Sequence, residues 1–92
     1  MSSLSAAEIQ ARLARLPGWQ IENGELVRTF AFKDFLGSLR FVNAVGELAE
    51  AAGHHPDIDI RYSRVRLSLV THDAGGITDK DFALAEQAGK VA

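Results

Sequence analysis

Cysteine is absent from this 92-residue sequence, and proline occurs only twice. The lack of thiols excludes disulfide bridges, thiolate catalysis and cysteine-ligated metal sites together, and it is consistent with a reducing compartment. Basic residues are not in excess either, because 10 Lys and Arg stand against 12 Asp and Glu, for a formal net charge of −2. A nucleic-acid-binding surface needs a clustered basic face. Direct binding to nucleic acid is therefore not expected.

Long hydrophobic runs and targeting signals are also missing. No apolar run approaches the ~20 residues that a membrane-spanning helix requires, and residues 1–5 lack the basic start and apolar core of a signal peptide. We therefore expect a cytoplasmic protein without a membrane partner. Residues 1–92 are predicted to form a single domain. A domain of this size buries only roughly 60 to 65% of its unfolded surface, so we also expect self-association.

Local signals at the start of the chain predict one helix and one hairpin. Ser5 and Glu8 have the spacing of a capping box, and Pro17-Gly18 ends the helix that follows. Asn23-Gly24 is a strong signal for a two-residue hairpin turn, because both residues tolerate positive φ angles. Strands are therefore predicted over residues 19–22 and 25–30.

A second, longer helix is predicted from the N-cap Asp34 to Ala52, with Gly53 as its left-handed terminator. Two apolar stripes run along it. The first is Phe35, Leu39, Val42 and Ala49, and the second is Phe41, Val45, Leu48 and Ala52. Packing on one sheet requires a single stripe. We therefore expect the second stripe to contact another subunit.

Alternation of apolar and polar residues predicts a second hairpin, with a loop at Ser63-Arg64 and one buried face. Thr78, followed three residues later by Asp81, predicts the cap of a third helix. The element order is α-β-β-α-β-β-α. This order indicates an α+β fold, in which a four-stranded antiparallel sheet made of two hairpins carries three helices on one face.

The only three histidines, His54, His55 and His72, are predicted to meet at one end of this sheet. With the loop at residues 63–64, Ile58 opposes Leu69, and extending the ladder brings His55 near His72. His54 and His55 follow the long helix, and His72 follows the last strand. The three imidazoles are therefore candidates for one site.

Two acidic residues accompany the histidines. Glu50 lies one helical turn before His54, where the two side chains can interact, and Asp81 returns to the region through a short loop. Each also has a simpler interpretation, Glu50 as a solvated helix charge and Asp81 as a helix cap.

Zinc binding and a purely structural role compete with acid–base chemistry at this cluster. Three imidazoles make an open zinc site. Adjacent His54 and His55, however, lack the i,i+2 or i,i+4 spacing that aims two rings at one ion. A chance grouping of every histidine at one sheet end is a weak explanation. We therefore favour proton transfer and predict no metal and no cofactor.

The spacing of these residues resembles the signature of the pterin-4a-carbinolamine dehydratases. The residues that carry it are Glu50, His54, His55, Pro56, Tyr62, His72 and Asp81. Further stretches similar to that family are Pro17-Gly18-Trp19, residues 30–35 and residues 75–78. A pattern with this many fixed spacings is far more specific than a single short motif.

The resemblance implies a hydro-lyase that dehydrates 4a-hydroxytetrahydropterin, the 4a-carbinolamine, to quinonoid dihydropterin in tetrahydrobiopterin recycling. In this interpretation His54 and His72 transfer protons, and His55 positions the substrate or shares that task. Which histidine is acid and which is base stays open. Glu50 and Asp81 orient the imidazoles.

The resemblance also suggests residues that contact the pterin. Trp19 is the candidate aromatic wall, and backbone contacts are expected from Gly53, Val70, Thr71 and Asp73. The expected assembly is a homodimer or homotetramer. The competing function is a protein-interaction or dimerisation-cofactor module, since members of the family also resemble such a cofactor of a transcription factor. That role would use the second helical stripe and would not require the histidines.

Overall fold

The computed structural model describes residues 2–92, so Met1, part of the N-terminal stretch considered above, lies outside the described residues. Helices and strands follow one another in the predicted order. They are α1 (Ala6–Leu13), β1 (Gln20–Glu22), β2 (Glu25–Ala31), α2 (Phe35–Ala52), β3 (Asp57–Arg61), β4 (Arg64–Leu69) and α3 (Asp79–Lys90), with a 3₁₀ turn at His72–Ala74. All strand pairs are antiparallel. The predicted α+β fold is confirmed.

The first third of the chain follows its local signals. Ser5 N–H donates to Glu8 Oε1 at 2.9 Å, and Glu8 N–H donates to Ser5 Oγ at 3.2 Å, which completes the capping box of α1. Asn23 and Gly24 have φ angles of 51° and 77°. Positive φ at both central residues is the requirement of a type I′ turn. This turn joins β1 to β2 in the predicted hairpin.

The sheet has the strand order β1-β2-β4-β3, which leaves β3 at an edge. Its helix-bearing face contributes to one hydrophobic core. The core includes Leu26, Phe30, Val65, Leu67 and Leu69 from the strands and Phe41, Val45, Ala49, Phe82, Ala85 and Ala88 from the helices. Val27 is buried but lies outside this cluster, because alternate residues of a strand point to opposite faces. Within residues 2–92, every helix is too short or too polar to cross a bilayer.

Helix α2 begins and ends at its predicted caps. Asp34 Oδ1 accepts a hydrogen bond from Gly37 N–H at 2.8 Å. At the other end, Gly53 adopts the left-handed conformation with φ of 63°. The helix therefore ends where a residue without a side chain tolerates a positive φ angle.

The prediction for the second stripe of α2 was wrong. Phe41 and Val45, expected to contact another subunit, lie in the core of this chain, and Val45 is 0% exposed. Among the large apolar side chains of α2, Phe35 and Leu36 are the exposed ones, and Leu36 is 58% exposed. A helix that is apolar around most of its circumference carries no sequence signal for the side that faces the sheet.

The second hairpin turns one residue earlier than predicted. Its loop is Tyr62-Ser63, with Tyr62 at a φ of 50°, so the predicted loop at residues 63–64 was wrong. Ile58 consequently pairs with Leu67 and not with Leu69. A register change of two residues leaves every side chain on its original face. The apolar alternation therefore could not reveal it.

Strand β3 is exposed along its length, although a buried face was expected. Ile58 and Ile60 point to the helix-bearing side, since they pair with the core residues Leu67 and Val65. Within residues 2–92, that edge of the sheet stays only partly covered. Exposed large apolar residues of β3, of the turn after it and of the start of α2 are together called the apolar edge surface: Phe35, Leu36, Ile58, Ile60 and Tyr62.

Candidate active site

The structure brings all three histidines to one cleft of about 270 Å³. The cleft lies where the end of α2, the segment after β4 and the first turn of α3 meet. Its lining residues are Gly53, His54, His55, Val70, Thr71, His72, Asp73 and Lys80. Four residues that were expected to offer contacts to the pterin, namely Gly53, Val70, Thr71 and Asp73, are among them.

The left-handed Gly53 precedes the two adjacent histidines, whose side chains meet different partners. Because the helix ends there, the chain turns, and His54 contacts Asp81 whereas His55 contacts Glu50. The prediction that Glu50 interacts with His54 was therefore wrong. It assumed that the helical spacing continues past Gly53. The His55–Glu50 pair lies in solvent, whereas the His54 side chain is only 12% exposed.

Asp81 is the buried partner of His54. Its Oδ1 lies 2.5 Å from His54 Nε2, and its side chain is 0% exposed. Its Oδ2 accepts hydrogen bonds from Thr71 Oγ1 and from Thr78 N–H, both at 2.9 Å. A buried carboxylate requires such partners, because an unpaired charge in the interior costs several kcal/mol.

The same carboxylate is also a helix cap. The bond from Thr78 N–H to Asp81 Oδ2 belongs to the capping box at the N-terminus of α3. The structural and the functional interpretations of Asp81 are therefore not alternatives. One oxygen is occupied with the helix start and the Thr71 hydroxyl, and the other contacts the histidine.

His72 is held by its backbone. It begins the 3₁₀ turn, where its carbonyl accepts a hydrogen bond from Gly75 N–H at 3.0 Å. Thr71 and Gly76 close the turn with two backbone hydrogen bonds of 3.0 and 3.3 Å. The His72 imidazole is exposed and makes no side-chain hydrogen bond within the described part of the chain. Its ring is thus accessible to a ligand in the cleft.

Trp19 does not line the cleft, contrary to its predicted place as an aromatic wall. The indole is 5% exposed, belongs to the core and meets Phe30 edge to face at a centroid distance of 5.9 Å. A single aromatic residue after Pro17-Gly18 has no sequence feature that separates a core position from a ligand wall. Only the resemblance to the dehydratase family suggested that Trp19 contacts the pterin.

Sequence reasoning missed two residues around the cleft. Lys80 lines it, and the buried Thr78 contacts Thr71 through their hydroxyl groups at 2.8 Å. Both belong to the first turn of α3, where the capping pattern already explained the residue types. Lys80 adjoins Asp81 in the sequence, and Thr78 precedes it by three residues. This closeness to Asp81 was the signal that could have identified them.

A larger groove between α1 and α3, of about 580 Å³, is a poorer candidate. It contains no histidine, and one of its two arginines, Arg12, is paired with Asp79 at 2.8 Å. The histidine cleft instead holds three imidazoles in different surroundings, with His54 beside a buried carboxylate and His55 and His72 exposed. Within residues 2–92, no three His, Asp or Glu side chains are grouped so as to hold a metal ion.

Two imidazoles in one cleft provide the parts of an acid–base pair. Unperturbed imidazole changes its charge near pH ~6.5, so one ring can donate a proton while another accepts one at neutral pH. Asp81 fixes the orientation of His54 through its short contact, as carboxylates commonly do for catalytic histidines. The cleft is therefore suited to a reaction with two proton transfers.

The chain is also similar to known proteins. Residues 2–91 match the model of the family described as Pterin 4 alpha carbinolamine dehydratase. A protein of Chloroflexus aurantiacus, provisionally named a pterin-4-alpha-carbinolamine dehydratase, is 64% identical over 85 residues, which cover 92% of this chain and 91% of that protein. A protein of Thermomicrobium roseum with the same provisional name is 52% identical over 92 residues, covering 100% of this chain and 99% of its own length.

Two solved structures are also similar. One, described as a transcriptional coactivator/pterin dehydratase from Brucella melitensis, superposes with a TM-score of 0.96 at 32% identity and covers 99% of both chains. The other, a pterin dehydratase-like protein identified as a RuBisCO assembly factor in the alpha-carboxysome, gives a TM-score of 0.66 at 25% identity and covers 80% of this chain and 86% of its own. The chain therefore belongs to the pterin-4-alpha-carbinolamine dehydratase family and is an enzyme of the hydro-lyase class.

Proposed function

We propose that this chain dehydrates 4a-hydroxytetrahydropterin to quinonoid dihydropterin in tetrahydrobiopterin recycling, by histidine acid–base catalysis without a metal or cofactor. The bond between carbon 4a and its hydroxyl oxygen breaks while that oxygen takes a proton and leaves as water. The adjacent ring nitrogen loses its proton, and the electron pair of that N–H bond forms the new double bond to carbon 4a. The reaction thus needs one proton donor and one proton acceptor on the substrate.

The observation that carries this proposal is the placement of His54 and His72 in one cleft with different surroundings. His54 is anchored to the buried Asp81 at 2.5 Å, whereas His72 begins the 3₁₀ turn and is exposed. One imidazole exchanges a proton with the leaving oxygen and the other with the ring nitrogen. Groups of this kind each contribute typically ~10² to 10⁴ in rate.

His55 and Glu50 form the outer part of the proposed site. Their contact lies in solvent at the edge of the cleft, so His55 is assigned to positioning of the pterin or to a shared part in proton transfer. Gly53, Val70 and Asp73 border the same cleft, where their backbone groups can meet the polar edge of the ring.

A spectrophotometric assay with enzymatically generated 4a-carbinolamine tests the proposal. The chain should accelerate dehydration well above the uncatalysed rate, and His54→Ala should remove most of that acceleration. Turnover should survive exhaustive chelation. An enzyme that loses turnover with chelator and regains it with zinc would contradict the acid–base mechanism, and wild-type protein without any acceleration would contradict the proposed reaction.

We also propose that residues 1–92 act as one cytoplasmic domain and assemble into a homodimer or homotetramer. The support is the apolar edge surface, because large apolar side chains left in water by a single chain can be covered when chains assemble. Leu36 is 58% exposed, and Ile58 and Ile60 lie on an edge strand whose outer backbone groups can pair with another strand.

A protein-interaction module is the second candidate function. Two structurally similar proteins are described as a transcriptional coactivator and a RuBisCO assembly factor, and the apolar edge surface supplies a surface for a partner. The His54→Ala variant separates the two functions. It should lose dehydration and keep any such interaction, whereas charging Leu36 should have the opposite effect.

A further inference from the structure

Two buried hydroxyl groups lie in contact behind the Asp81 carboxylate. Thr71 Oγ1 is 2.8 Å from Thr78 Oγ1 and 2.9 Å from Asp81 Oδ2. Thr71 is 7% exposed and Thr78 is 1% exposed. Buried polar groups of this kind are almost always hydrogen-bonded. The position of each hydrogen can therefore be worked out from the partners available.

The contacts around the two hydroxyl groups favour one arrangement of their hydrogens. Thr78 Oγ1 accepts a hydrogen bond from Lys80 N–H at 3.3 Å, and its own hydrogen finds an acceptor in Thr71 Oγ1 at 2.8 Å. The Thr71 hydrogen is then free to donate to Asp81 Oδ2. In the reverse order a protonated Asp81 would donate to Thr71, and the buried hydroxyl hydrogen of Thr78 would have no partner. An ionised carboxylate accepts only, so with Asp81 ionised His54 Nε2 carries the hydrogen of its 2.5 Å contact.

We propose that Thr71 is a positioning residue that acts through Asp81 on His54. Its hydroxyl, oriented by Thr78, holds the carboxylate as an acceptor, so that His54 keeps its hydrogen on Nε2 and exchanges protons through Nδ1. The first part of this assignment rests on the hydrogen-bond geometry alone. The assignment of Nδ1 to the reaction rests on the proposed dehydration.

The two parts are measured separately. Nitrogen-15 NMR of the neutral imidazole of His54 in wild-type protein should show the tautomer with hydrogen on Nε2. Thr71→Val should shift or broaden the His54 Nε2–H resonance. It should also lower kcat about tenfold with little change in KM, as loss of an orienting hydrogen bond does around metal-bound histidines. Thr71→Ser, which keeps the hydroxyl, should restore both. Thr29→Val is the matched control, because Thr29 is exposed on β2 and outside the cleft.

Several results would overturn the assignment. If the neutral His54 of the wild-type protein carries its hydrogen on Nδ1, the assignment is wrong. This measurement does not depend on whether the variants fold. An unchanged His54 resonance and an unchanged kcat in Thr71→Val would also overturn the assignment. A raised KM with unchanged kcat would overturn it too, since that pattern indicates direct contact of Thr71 with the pterin. Wild-type protein that shows the expected tautomer but no dehydration would contradict the proposed function and leave the hydrogen-bond assignment intact.

Discussion

His54 Nε2 lies 2.5 Å from Asp81 Oδ1, although the two residues are 27 positions apart in the sequence. The contact joins the residue that follows the C-cap of α2 to the third residue of α3. Both ends are fixed by backbone geometry, through the left-handed Gly53 on one side and the capping box on the other. The orientation of the His54 ring is therefore set by two helix termini and not by a flexible loop.

Asp81→Asn should lower turnover by about a hundredfold or more. The amide can place a donor where the carboxylate oxygen accepted, so that His54 is held in the wrong orientation or tautomer. Steady-state kcat with the 4a-carbinolamine measures the effect. Asp59→Asn is the control, because Asp59 is exposed on β3 and its carboxylate pairs with Arg61 at the surface. Equal turnover of the two variants would exclude a role of Asp81 in the reaction.

His54→Ala and His72→Ala should each lower kcat strongly, within the ~10² to 10⁴ range of a general acid or base. The double variant should lose less than the product of the two single losses, because residues that act in one transition state are not additive. His55→Ala should have a smaller effect or raise KM. Steady-state constants for the four variants decide this. Near wild-type turnover in all single variants would show that the site is misassigned.

Leu36→Glu should lower the assembly state and leave the fold intact. Leu36 lies in the apolar edge surface and is exposed in the chain, so a charge there meets water in the monomer and is buried only in an assembly. Sedimentation velocity at micromolar concentration measures the change. The control is Gln87→Glu, which adds the same charge at an exposed position of α3. A wild-type protein that sediments as a monomer would contradict self-association.

Val45→Glu should instead unfold the chain. Val45 is 0% exposed in the core, and an unpaired carboxylate there costs several kcal/mol, comparable with a total stability of about 5 to 15 kcal/mol. Thermal unfolding followed by circular dichroism separates the two variants. A folded Val45→Glu protein with reduced assembly would restore the original assignment of the helical stripes.

The capping box of α1 should make a pH-dependent contribution to stability. The hydrogen bonds from the Ser5 backbone and side chain, followed by the nearby Arg12 charge, lower the pKa of Glu8 from its ordinary value of 4.5. A lowered pKa in the folded state stabilises the protein above pH 4.5, and this contribution is lost as the pH falls through the folded value. Glu8→Gln keeps the capping pattern without the charge. Its deficit in thermal stability should therefore be present at pH 7 and absent in strong acid, as Tm measurements across this range will test.

Local signals in the sequence predicted the element order and most element ends. Capping boxes, the Asn23-Gly24 turn and the terminator Gly53 each act over a few neighbouring residues, so their meaning does not depend on the rest of the fold. The grouping of the histidines at one sheet end was also predictable. A register error of two residues moves the ends of a strand along the same edge without changing its faces.

Only the tertiary structure decided which neighbour each functional side chain meets. The partner of His54 is Asp81 and not Glu50, because Gly53 ends the helical spacing on which the sequence argument depended. The burial of Trp19 and Val45 likewise depends on long-range packing against the sheet. Periodicity shows that a residue is apolar on a given face, but the face that meets the core is fixed only when all elements pack together.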